Sequence, residues 1–80
     1  STEQLIQAVK NKDGILFDRL FSDWAETIQL NDALLSQANT FRQSLYGKGD
    51  VTFDEHKFIS EINGANKQKI ADSSKVLASL

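Results

Sequence analysis

The side chains with the most chemical potential in this chain are few and poorly spaced for it. His56 is the single histidine, and it directly follows Asp54 and Glu55. Consecutive helical residues point about 100° apart, so these three cannot close around one metal ion. The carboxylates Asp13, Asp18, Asp23 and Glu26 fall off the apolar positions of their segment. Acid–base work would need one of them buried beside a partner that shifts its pKa. There is no cysteine, which excludes a thiolate nucleophile, a thiolate metal site and a disulfide framework. Gly47-Lys48-Gly49 lacks the rest of a phosphate-cradling fingerprint, and one histidine far from most serines argues for no triad. The expectation is a chain that is not an enzyme, with no cofactor, no metal and no small-molecule substrate.

One string carries a motif. Gly49-Asp50-Val51-Thr52-Phe53-Asp54-Glu55 resembles the second half of an EF-hand calcium loop, with glycine at loop position six, an aliphatic residue at eight and glutamate at twelve. In that frame positions one, three and five are Ser44, Tyr46 and Lys48, where calcium requires side-chain oxygens of Asp or Asn. Three ligands are absent and an ammonium stands in place of one, so no calcium is expected. Thr52-x-x-Glu55 also has the form of a capping box, which starts a helix.

The elements that would position these residues are helices. With no proline and four glycines (Gly14, Gly47, Gly49, Gly64), helix breakers are confined to a few places. Leu5, Ile6 and Val9 predict a short helix over about 2–12, closed by Asp13-Gly14 as a left-handed cap. Phe17, Phe21, Trp24, Ile28, Leu35, Ala38, Phe41 and Leu45 form a three–four stripe interrupted by Asn31, which predicts a helix over 17–46. Gly47-Lys48-Gly49-Asp50 predicts a tight turn. Ile59, Ile62, Ile70, Leu77 and Leu80, with Phe58 and Val76 adjacent and Asn66 and Ser73 interrupting, predict a helix over 52–79.

The fold class is therefore all-α, a short N-terminal helix plus an antiparallel helical hairpin. Break signals at Asn31, an N-cap residue inside the stripe, and at Asn63-Gly64 define the alternative, a compact bundle of four or five short helices. Eighty residues make one domain over 1–80, and a chain of 8.9 kDa hides roughly 63% of its surface on folding, which supports one thin core.

Charge is unevenly distributed. Residues 13 to 32 carry five acids against Arg19, and residues 61 to 80 carry Lys67, Lys69 and Lys75 against Glu61 and Asp72, or −4 against +1. A net charge of −2 with a pI near 5.2 disfavours nucleic acid as a partner. The longest apolar run, Ile15-Leu16-Phe17, is far too short to enter a membrane as a helix, and a cytoplasmic location is the default expectation. What remains is a protein–protein interaction module acting on a partner protein or by self-association through an apolar helical face and an acidic flank. Phe17, Phe21, Trp24, Ile28 and Phe58 are the candidate apolar contacts, and Asp18, Asp23 and Glu26 the acidic ones. The alternatives are a structural subunit of a repeating assembly, such as a secretion-system or phage component, and a degenerate EF-hand-like regulator.

Overall fold

A computed structural model describes the backbone of residues 1–28, 30–47 and 51–79, and the side chains of the same residues apart from 73, 74 and 76–79. These residues form four helices and, among the described residues, no strand: α1 (Thr2–Lys10), α2 (Gly14–Glu26), α3 (Asp32–Tyr46) and α4 (Glu55–Ser79). The chain is all-α, a small helical bundle. The long 17–46 segment divides at the Asn31 signal, whereas α4 runs unbroken through Gly64.

Each boundary has a local cause. Asn31, with extended backbone, accepts a hydrogen bond from the Leu34 amide at 2.9 Å and caps α3. That cap, and the Thr27–Leu30 connection before it, reset the phase of the stripe. Leu34 is buried in α3, and Leu35, which one continuous helix would turn inward, is 42% exposed.

The α1–α2 corner differs from the expected glycine cap. Asp13 N and Lys12 N donate to the Ala8 and Val9 carbonyls, at 3.0 and 3.1 Å, closing α1 in a Schellman arrangement whose left-handed residue is Lys12, φ 55°. Asp13 serves the next helix, accepting from the Leu16 amide at 3.1 Å, and Gly14 is the first residue of α2. A Cβ at Gly14 would run into the Tyr46 hydroxyl, so close packing, not left-handed backbone, accounts for this glycine.

At the start of α4 the cap is Asp54, which accepts from the Lys57 amide at 3.0 Å, and not Thr52. Residues 51–54 are non-helical, which leaves Phe53 packed on Phe41 and Phe58 ahead of the helix. The expected turn at 48–50 lies outside the described residues.

The core is aromatic. Phe17 stacks on Phe21 and meets Phe41 and Phe58 edge-on, with centroids 5.2, 4.7 and 5.9 Å apart. Leu5, Ala8 and Val9 of α1 and Ile62 of α4 complete it. α1 packs against both α2 and α4, and α3 packs against α4. At one end Trp24 Nε1 donates to Thr2 Oγ1 at 3.1 Å, and that hydroxyl donates to Asn66 Oδ1 at 2.9 Å, joining α2, α1 and α4. Asn66, a polar interruption of the stripe, is thus where the bundle is fastened.

Lys12 holds a conformation that costs a side-chain-bearing residue about 1–2 kcal/mol and glycine very little. After the entropy glycine adds to the unfolded chain, Lys12→Gly is expected to stabilise the fold by about 0.5–1 kcal/mol, read as a higher midpoint in thermal unfolding followed by circular dichroism.

Candidate interaction surface

Of the residues that sequence reasoning nominated for partner contact, four are committed to the bundle itself. Phe17 and Phe58 are fully buried, and Phe21 and Trp24 are nearly so. Their rings pack on one another and on Phe41 and Phe53, and the indole N–H is satisfied by Thr2. Ile28 is half-buried just past the end of α2.

The acidic flank is only partly open. Asp23 and Glu26 are exposed on α2. Asp18 accepts a hydrogen bond from Arg42 Nε at 2.6 Å, an ion pair between α2 and α3. The Arg42 guanidinium also lies 5.4 and 5.6 Å from the Phe17 and Phe21 ring centroids, so it lids the aromatic core while holding Asp18. The described pairing of these acids comes from Arg42, while the basic residues of the last segment, Lys67, Lys69 and Lys75, are exposed on α4.

Elsewhere the surface is not closed. α4 has 25 residues and so a length of about 37 Å, but it passes the Thr2–Asn66 fastening roughly midway. Beyond Asn66 each described side chain, from Lys67 to Asp72 and at Lys75, is exposed, and Ile70 is 59% exposed. Molecular extents of 51 × 20 × 18 Å record this projection. So does the accessible surface of 5642 Å², against about 4,800 Å² expected for a compact chain of this mass. The positions of 73, 76, 77 and 80 on the expected stripe fall where side chains lie outside the described residues.

Where α4 leaves the bundle it forms one wall of a cleft of about 780 Å³, opposite the α2–α3 connection. Ile28, Leu30 and Ala33 contribute apolar surface on one side, and Glu61, Gly64 and Gln68 line the other. The Glu61 Oε2 atom is buried with no hydrogen-bond partner among the described residues. Buried carboxylate oxygens are nearly always satisfied by protein or by water, and Glu61 is half-buried at the edge of this cleft. Gly64 is exposed in mid-helix, and a Cβ built there meets nothing within 4 Å. At the opposite end of the bundle Ile15 and Tyr46 are exposed around Gly14.

Among the described residues no group of three His, Cys, Asp or Glu side chains could hold a metal ion, and no helix is long and apolar enough to cross a membrane. His56 is exposed beside the Asp54 cap, with Glu55 in the first turn of α4. The Asn63-Gly64 signal, read from the sequence as a helix break, marks instead an exposed glycine within an unbroken α4 beside this cleft. No protein-family model, curated protein or solved structure matches the chain.

Two outcomes follow from these contacts. Arg42→Ala is expected to lower stability by about 1–2 kcal/mol and Asp18→Ala by less than about 0.5 kcal/mol, because only the first uncovers Phe17 and Phe21. Denaturant midpoints for the two variants decide this, and equal losses would mean the ion pair alone matters. Gly64→Ala, tested in dilute protein, is expected to raise stability by about 0.5–1 kcal/mol through helix propensity, since packing does not require the glycine.

Proposed function

We propose that the chain is a non-enzymatic protein–protein interaction module, of the adaptor, regulator or inhibitor kind, whose bundle displays the end of α4 and its adjoining cleft to a protein. The observation that carries this is the projecting half of α4. About 13 residues of helix beyond the bundle are marginal in water on their own, and Ile70 is uncovered within them. A helix extended past its own core is accounted for when another surface covers it, in the manner of helix-in-groove recognition. Asp23 and Glu26, exposed on α2, provide the acidic flank, and the net negative charge keeps nucleic acid an unfavoured partner.

A second reading, a structural subunit of a repeating assembly, draws on apolar exposure at both ends: Ile70 at one and Ile15 with Tyr46 at the other. Contacts that join unlike ends propagate without closing.

A photo-reactive residue placed at position 70, in the cell that makes the protein, is expected to give a covalent adduct to protein. The same group at position 22, exposed on α2, is expected to give none. Equal labelling, or no protein adduct from position 70, would overturn the proposal. Light-scattering mass then separates the two readings, because a discrete species excludes the repeating subunit and open-ended growth excludes the adaptor.

A further inference from the structure

α4 is made of two unlike halves. Over residues 55–66 tertiary contact holds the helix: Phe58 and Ile62 are fully buried, Ile59 and Ala65 pack on the core, and Asn66 accepts from Thr2 at 2.9 Å. Past Asn66 each described side chain is exposed, and the side-chain hydrogen bond described there, from Gln68 to Asp72 at 2.9 Å, stays within the helix. Six of the thirteen residues over 67–79, namely Ile70, Asp72, Ser73, Ser74, Val76 and Ser79, are middling helix formers. The last turn has no basic residue to complement its carbonyl end.

We propose that α4 carries two units of stability joined at Asn66: residues 55–66 unfold only with the bundle, whereas residues 67–79 exchange between helix and coil while the bundle stays folded, and are fixed as helix by the partner. This rests on the reading of the α4 end as an interaction surface and supplies its mode, folding on contact. The physical basis is the helix nucleus. A detached segment of this length would have to form its own first turn, unfavourable by about a thousandfold, and would be coil in water. Attached to a helix that the core holds in place, it propagates from a turn already formed, gaining one hydrogen bond for each residue fixed. Propagation through middling formers without tertiary contact is close to balanced, so the helix shortens and regrows from its far end. The chain of bonds from Trp24 through Thr2 to Asn66 sets the limit of shortening. Opening α4 at Asn66 breaks a chain shared with α1 and α2, whereas opening it at Gln68 or Asp72 breaks no described bond outside α4. A partner that selects the helical form then works against the coil fraction alone, a smaller ordering cost than an unattached segment carries.

Amide hydrogen exchange of the full chain, resolved by residue, tests this together with a Gln68→Pro variant. Amides of residues 58–66 are expected to exchange at least about a hundredfold more slowly than those of residues 70–79. Proline at position 68 removes the amide that α-helix geometry pairs with the Gly64 carbonyl and disfavours helical backbone at Lys67, so it cuts the segment from its template. Gln68→Pro is expected to lose the far-ultraviolet circular dichroism of the helix past Asn66. Its unfolding midpoint, followed by Trp24 fluorescence, is expected to stay within about 2 °C of the wild-type value. Protection that continues undiminished past Asn66, a larger fall of the midpoint, or a variant that keeps the full helical signal would overturn the proposal. None of these results bears on the crosslink from position 70, which judges the interaction reading separately.

Discussion

Phe17 is the constraint on which the rest of the molecule depends. Its ring touches Phe21 on its own helix, Phe41 on α3 and Phe58 on α4, so one side chain fixes the mutual placement of three helices. A chain this small has little redundancy: among the described residues eleven buried apolar side chains make up the core, and five are aromatic. Aromatic rings bring the largest buried area per residue and prefer offset or edge-on geometry, which supplies orientation as well as cohesion. Arg42 belongs to the same unit. By covering the Phe17 and Phe21 rings while pairing with Asp18, it holds α3 against α2 where few backbone approaches do so.

That use of the aromatics explains which parts of the fold were legible in the sequence. The three–four stripe read through Phe17, Phe21 and Trp24, and again through Ala38 and Phe41, describes the buried face. The Asn31 break was visible as a cap residue, but its consequence was not. A connection of only a few residues shifts the helical phase, and so Leu34 replaced Leu35 inside. Two further caps were recognised by residue type but assigned one or two positions away from their true places. At the α1–α2 corner the left-handed residue is Lys12 because Asp13 is needed by the next helix. At α4, Phe53 must leave the helix to join the core, which moves the cap from Thr52 to Asp54.

The candidate surface was less legible for a related reason. Large aromatics are enriched both in cores and at binding hot spots, so composition alone could not decide between them. Phe17, Phe21, Trp24 and Phe58 went to the core, where a thin bundle needs them most. The polar residues on the stripes proved more specific: Asn31 caps α3, and Asn66 takes the Thr2 hydrogen bond that closes the bundle's end. The stripe beyond Asn66 could be read, but how far the other helices would extend alongside it depends on the lengths of α1 and α2. Those lengths were set by the two boundaries that the sequence placed least well.

Two features that the chain leaves unoptimised share one side of α4. A mid-helix glycine costs about 0.5–1 kcal/mol relative to alanine, and Gly64 has no neighbour that demands it. Glu61 Oε2, three positions before Gly64 on the same cleft wall, is a buried acceptor with no protein donor among the described residues, a kind of group that costs about 1–3 kcal/mol when it is left without any hydrogen bond. Against a typical total stability of about 5–15 kcal/mol, these are large concessions for a small core. One unfavourable feature is ordinary in a natural protein. Two on one helical face, beside a half-helix that extends past its own bundle, form a coherent pattern when that face is completed by another surface. The stability forgone in the isolated chain is then recovered on association, which couples the ordering of the α4 end to the presence of its partner.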